Sequence, residues 1–321
     1  MYPLKFHPIL KERLWGGTKL QDVLHKPIGN DTTGESWELS GVAGDISVVA
    51  NGDLSGTSLR QLIEDGAEDL LGKSVVERFG KDFPILIKFL DAKKDLSIQL
   101  HPNDELAQKR HNSQGKTEMW YVMDADADAN LIIGFNRDVT QEEYVKSLEN
   151  DTLTELLNYE KVARGDTFFI KTGKVHAIGA GVLLAEIQQT SDITYRIFDF
   201  NRKDKDGNLR ELHTELALNA IDYKKKDDFK VTYDSEANRA NRMVDCPYFK
   251  TDFLHLTENW NKDISGRDSF TIFMCVGGSA RIANENGAVD IKKGETVLLP
   301  AVSKSISIQT TGSAEFLEVT I

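Results

Sequence analysis

Apolar residues along this chain fall mostly into short runs, or alternate with polar ones, between glycine, proline, asparagine and aspartate. That pattern belongs to β-strands and tight connections, not to amphipathic helices. The first fifty residues give LKFHPIL, WGG at Trp15 to Gly17, ESWELSG at Glu35 to Gly41 and ISVVANG. FPILIKFLDA (Phe83 to Ala92), SIQLHP, EMWYVM, LIIGF, GDTFFI, HAIGAGVLLAEIQQT and ITYRIFDF continue the series. A polar, charged stretch from Lys224 to Arg242 marks the junction between two domains, and YFKTDFLHL, SFTIFMCVGGSARI, GAVDIKKGETVLLP, SISIQTT and AEFLEVTI lie beyond it. The chain is expected to be mainly β.

Helical spacing is local. Leu59, Leu62 and Ile63 follow a possible cap at Thr57 or Ser58, a second helix is expected over 68–78, and a third after Asn103, carrying Leu106. Two capping boxes, Thr140 with Glu143 and Thr152 with Glu155, predict helices over 142–148 and 153–157, a helical insertion at about 138–160. Thr214 is expected to cap a short helix with Leu216, Leu218 and Ile221. EMWYVM and LIIGF read as a hairpin with the acidic DADADA as its solvated turn, since that repeat lacks the rest of a calcium loop. Asn201 to Arg210 reads as a polar hairpin or loop.

A frame repeats. Gly165, Lys171, Gly173 and His176 have the same spacing as Gly294, Pro300, Val302 and Ser305, each set after a hairpin-like element. This suggests two copies of one β-unit. The second copy has Ser305 in place of the histidine and, in this register, Phe270 in place of Glu118, so the first copy alone can hold a metal.

The net charge of −12 over 321 residues argues against nucleic acid or an anionic membrane as the main partner. Cys246 and Cys275 are the only cysteines and make no disulfide framework. MYPLKFHPILKERLWGG lacks the apolar core of a signal peptide, and no run nears the roughly 18 apolar residues of a membrane span. A soluble, cytoplasmic protein is expected.

The candidate chemistry centres on DLSIQLHPND. Gln99 and His101 stand at i and i+2 of a strand and therefore share a face. With Glu118 at the head of EMWYVM and His176 in KTGKVHAIG they make an N/O set suited to zinc or another first-row divalent ion. Each residue also has a plainer reading. A single strand histidine is more often a core residue, an amide is a weak ligand, and Arg196 could pair with Asp199. Glu186 between apolar neighbours could face solvent, and Lys116 could be exposed. Trp15, Trp37 and Trp120 suit core or barrel-mouth packing.

QLHPND, KTEMWYV, GDTFFIKTGKVHAIG and AEIQQTSDITYRIFDFNR together resemble class I mannose-6-phosphate isomerases in their short bacterial form. The resemblance is strongest over residues 1–225. It implies a double cupin: a catalytic jelly-roll barrel over 1–228 and a metal-free cupin-like unit over 229–321. It places one zinc ion on Gln99, His101, Glu118 and His176, the catalytic arginine at Arg196, and further catalytic groups at Lys116 and Glu186. Lys88 and Ser97 match cleft positions of longer relatives, and with Arg202 they are expected to bind the phosphate. Those relatives have lysine where Arg202 stands, and a guanidinium does not give up its proton.

The reaction implied interconverts mannose 6-phosphate and fructose 6-phosphate through a cis-enediol. Its base is Glu186, Lys116 or a metal-activated water, with Glu186 slightly preferred. A monomer or homodimer is expected. An isomerase of another phosphosugar, or a non-catalytic sugar-phosphate-binding cupin, fits the same residues.

Overall fold

The computed structural model describes residues 1–203 and 206–321. In chain order the strands are β1 (Ile9–Gly17), β2 (Thr33–Leu39), β3 (Ile85–Ala92), β4 (Ile98–Leu100), β5 (Glu118–Ala125), β6 (Asn130–Phe135) and β7 (Leu157–Lys161), then β8 (Thr167–Ile170), β9 (His176–Ile178), β10 (Val182–Gln189), β11 (Tyr195–Phe198) and β12 (Lys230–Val231). The second unit adds β13 (Ala240–Asp245), β14 (Lys250–Leu256), β15 (Trp260–Asp263), β16 (Thr271–Asn284), β17 (Gly287–Lys292), β18 (Thr296–Leu299) and β19 (Ser305–Thr320). The helices are α1 (Lys19–Asp22), α2 (Leu59–Leu71), α3 (Lys73–Phe79), α4 (Asp104–His111), α5 (Gln141–Glu149) and α6 (Thr214–Leu218).

The first unit is a two-sheet jelly roll. One sheet runs β1-β2-β3-β10-β5-β8-β12 and the other β11-β4-β9-β6-β7. The second unit orders β13-β14-β19-β16-β17, with β15 on β19 and β18 on β16. These pairings repeat the first unit's plan. β14, β19, β16 and β18 pair as β3, β10, β5 and β8 do, and the long β16 and β19 each do the work of two first-unit strands (β5 with β6, β9 with β10). Gly165 and Gly294, the shared glycines of the repeated frame, both adopt positive φ, +93° and +86°.

Alternation along the central strands explains where the core sits. Ile85, Ile87, Met119, Tyr121, Ala185 and Ile187 point away from the first barrel and pack with α2, α3 and Phe270, Ile272, Met274, Leu317 and Val319 of the second unit. Leu90, Trp120, Val122 and Leu184 point into the barrel. Strands β3 and β10 are therefore buried on both faces along their whole length. The two units stand back to back on one shared core.

Several expectations change. β5 and β6 are not a hairpin: β5 pairs with β10 and β8, whereas β6 pairs with β7 and β9, so the DADADA turn crosses between sheets. Asp124 and Asp126 there hold Lys19, at 2.8 and 2.9 Å. The helix expected over 68–78 is divided at Gly72, whose φ of +99° ends α2 before α3 begins. Thr140 forms its capping box, but Thr152 makes no cap bond, and a single 3₁₀ turn (Leu153–Leu156) leads straight into β7. His213, not Thr214, is the cap position of α6. Strand register sets Thr271, not Phe270, opposite Glu118 in the repeat: Glu118 pairs with Ile170 and Thr271 with Leu299, which share a place in the frame.

The expected domain boundary at 228/229 falls just before β12, which pairs with β8 of the first unit. Of the Asn201–Arg210 loop, Asp204 and Lys205 lie outside the described residues; Lys203 and Leu209 form an isolated antiparallel bridge across it. No helix among the described residues is long and apolar enough to cross a membrane.

Candidate active site and metal centre

Two cross-strand rows face each other inside the first barrel. On the larger sheet the register aligns Trp37, Lys88, Glu186 and Trp120; on the smaller it aligns Arg196, Gln99 and His176. Glu118 follows at i−2 from Trp120 and His101 at i+2 from Gln99, on the same inward faces. Between the rows lies a cavity of about 460 Å³, a size typical of small-molecule sites.

His101, Glu118 and His176 bring one ligand atom each within 4.8 Å of one another, all buried. Both rings are held from behind: His101 Nδ1 lies 2.8 Å from the Ile193 carbonyl and His176 Nδ1 2.8 Å from the Lys174 carbonyl. Each Nδ1–H therefore donates outward and each Nε2 turns its lone pair inward. The two Nε2 atoms are 3.1 Å apart, and Glu118 approaches them at 3.5 and 3.4 Å. Lys116 Nζ lies 3.1 Å from Glu118 and 3.2 Å from His101 Nε2, yet both carboxylate oxygens are buried short of a well-formed hydrogen bond. One ammonium does not satisfy a buried carboxylate and two inward lone pairs, and a further cation among them would. The donor set fits a divalent ion. Gln99, half-buried and paired in register with His176, offers an amide oxygen as a fourth donor.

Burial pushes the Glu118 carboxyl above its ordinary range, against the pull of Lys116. Burial also lowers His176 to about 4, with Lys116 contributing, and drives His101 well below its usual value. Burial alone would raise Glu186, yet the charges of Lys88 and Lys116 and hydrogen bonds from Lys88 (3.0 Å) and Trp120 (2.9 Å) hold it ionised. Glu186 thus faces the cavity and not solvent, because its strand has no exposed face. Lys88 also donates to Gln188, at 2.7 Å. Burial would lower Lys116, but Glu118, Glu186 and Glu35 overcome that and keep its proton on.

The cavity is lined by Lys88, Ser97, Gln99, Lys116, His176, Glu186 and Arg196 among the expected residues, with His101 and Glu118 buried behind its wall. Arg202 is not among them: its guanidinium binds Asp199 and the Asp95 carbonyl. Asp199 is shared with Arg210, which does line the cavity; Arg196 makes no bond to Asp199 and instead donates to the Glu211 carbonyl at 2.9 Å. Sequence reasoning missed Arg13, Glu35 and Arg210. The first two carried a signal, a charge two residues before a tryptophan in a strand (Arg13 with Trp15, Glu35 with Trp37), and Arg13 grips Glu35 at 2.9 and 3.1 Å. All three tryptophans read as packing line the cavity, and Trp120 also meets His176 edge-on at 5.4 Å.

Residues 4–130 match the family described as phosphomannose isomerase type I, catalytic domain, and residues 239–319 the mannose-6-phosphate isomerase cupin domain. The chain is 37% identical over 301 residues to Bacillus subtilis mannose-6-phosphate isomerase ManA, covering 93% of each. It is 32% identical over 304 residues to the Streptococcus mutans mannose-6-phosphate isomerase, covering 94% of each. The crystal structure of a Bacillus subtilis mannose 6-phosphate isomerase superposes with a TM-score of 0.91 at 31% identity, covering 100% of both chains. The apo form from Salmonella typhimurium shares the fold at a TM-score of 0.79 and 17% identity, over 99% and 98%. Matched along nearly its whole length, in both units and in fold, the chain belongs to the type I phosphomannose isomerase family.

Proposed function

We propose that this chain interconverts mannose 6-phosphate and fructose 6-phosphate with a divalent ion, zinc by expectation, held by Gln99, His101, Glu118 and His176. The observation that carries this reading is the buried cluster of His101, Glu118 and His176 beside the cavity, where a carboxylate and two histidine lone pairs converge on more need for positive charge than Lys116 alone supplies. Bound there, the ion supplies a Lewis acid for the sugar's carbonyl and hydroxyl oxygens.

The chain's own residues account for the rest. A proton leaves C2, a cis-enediolate forms, and the proton returns at C1 while the hydroxyl proton passes from O2 to O1. Arg196, whose Nε is buried without a partner, is a fixed positive charge for the enediolate oxygens. Lys116 lies 3.2 Å from His101 Nε2 and opens on the cavity. Its proton is held by Glu118, Glu186 and Glu35, so whatever neutralises Glu118 frees Lys116 to give and take a proton. Glu186, gripped by Lys88 and Trp120, is a fixed anion that orients Lys88 and a poor base, which reverses the slight preference drawn from sequence. Lys88 keeps one N–H for the phosphate, with Ser97 nearby; Arg210, not Arg202, adds the further charge.

Formation of fructose 6-phosphate from mannose 6-phosphate by the purified chain, before and after chelation and again after adding zinc or cobalt, tests the reading. Activity is expected to vanish with the metal and return with it. Full turnover in a metal-stripped preparation, or none in a metal-loaded one, would overturn it.

A further inference from the structure

Lys116 and Glu118 are held from outside the cavity by three residues that never touch it, and one of them belongs to the second unit. We infer that Gln189, Asp104 and Tyr248 form a positioning clamp through which the metal-free unit fixes the lysine and the carboxylate of the active one; this rests on the metal-site reading above.

The register between β10 and β5 ends where Gln188 meets Glu118. One residue further, buried Thr117 would be left without a ladder partner. Gln189 supplies it twice: its side-chain Oε1 accepts the Thr117 N–H at 2.8 Å, and its backbone N–H donates to the Thr117 carbonyl at 3.1 Å. The side chain thus stands in for the next residue of a strand. Its other end is also used, since Nε2 donates to Asp104 Oδ1 at 3.1 Å. The same Oδ1 accepts the Gly115 N–H at 2.8 Å.

Gly115 packs directly on the first turn of α4, where a Cβ would come 2.7 Å from the Asp104 backbone nitrogen. The segment carrying Lys116 is therefore pinned on both sides of that residue. Asp104 is itself held: the Tyr248 hydroxyl, from the turn joining β13 and β14, donates to Oδ2. With Gln189 only 2% exposed and both ends of its amide bonded, its orientation admits no alternative.

Three variants test this: Gln189→Met, which keeps volume and loses the amide; Tyr248→Phe; and Asp104→Ala, which removes the oxygen that accepts from both Gln189 and Gly115. The readouts are the affinity of the metal-stripped chain for Co²⁺, followed by its visible absorption, and kcat and KM of the metal-loaded protein. Gln189→Met is expected to weaken Co²⁺ binding about 10–100-fold and to lower kcat at least tenfold with KM within twofold. Tyr248→Phe should move both the same way by two- to fivefold, and Asp104→Ala by more than Tyr248→Phe. Gln189→Met with Co²⁺ affinity and kcat within twofold of the parent and only its melting temperature lowered, or Tyr248→Phe with neither changed, would overturn the clamp. A parent chain that binds Co²⁺ tightly yet turns over no sugar phosphate would instead overturn the isomerase reading, leaving the affinity series to decide the clamp.

Discussion

At matching register the two units hold different residues in one strand plan. Glu118 corresponds to Thr271, His176 to Ser305 and Gln99 to Asp263, the last because Gln99 pairs with His176 as Asp263 pairs with Ser305. Trp120 corresponds to Phe273, and each faces a glutamate across the ladder, Glu186 in the first unit and Glu318 in the second. Those two carboxylates are neutralised in different ways. Glu186 takes Lys88 from the neighbouring strand; Glu318 takes Arg267, which at 2.7 Å also donates to Thr271. In the second unit the arginine is therefore bonded to the very residue that stands in the place of Glu118. The fold supplies the facing rows to both units. What sets the first unit apart is a buried carboxylate that shares its one lysine with two histidine nitrogens.

Three substitutions press on that contrast. The largest effect is expected from Glu118→Ala, which removes that carboxylate: bound metal should fall to background by elemental analysis, and turnover by at least about 10³-fold, more than one lost oxyanion-type donor costs. Retained metal would place the essential ligands elsewhere. Arg196→Ala should keep the metal and lose about 10²–10³ in kcat, separating charge stabilisation from ion binding; a parallel loss of metal would merge the two roles. The smallest effect belongs to the second unit. Glu318→Gln should cost about 1–2 kcal/mol in denaturant unfolding, Arg267 being partly solvated, and leave kcat within twofold. A large loss of turnover would mean the second unit's interior is not inert.

The strands were legible because runs such as FPILIKFLDA and AEIQQT are too short and too β-rich for helices. The shared face of Gln99 and His101 was legible from i, i+2 spacing; that Glu118 and His176 join them rested on their residue types and on the family resemblance. Pairing was harder. DADADA announces that the chain turns, but the same turn chemistry serves a hairpin and a passage to the opposite sheet. For Glu186 a rule for half-exposed strands left a solvent-facing reading open beside the catalytic one, and that rule fails where both faces are covered. Arg202 and Arg210 are equivalent in sequence, and the sharing of Asp199 alone does not tell them apart; only the fold of their loop turns Arg210 toward the cavity. The clamp had no sequence signal, because Tyr248 and Asp104 meet across the gap between units.

Strands β3 and β10 form a partition with the cavity-lining Lys88, Leu90 and Glu186 on one side and inter-unit packing on the other. Ile187 packs in that seam one peptide from Glu186 and Gln188, the two residues that hold Lys88. For evolution or engineering, the greasy seam between the barrels is then a place behind the pocket from which the lysine's position can be adjusted without touching the cavity itself.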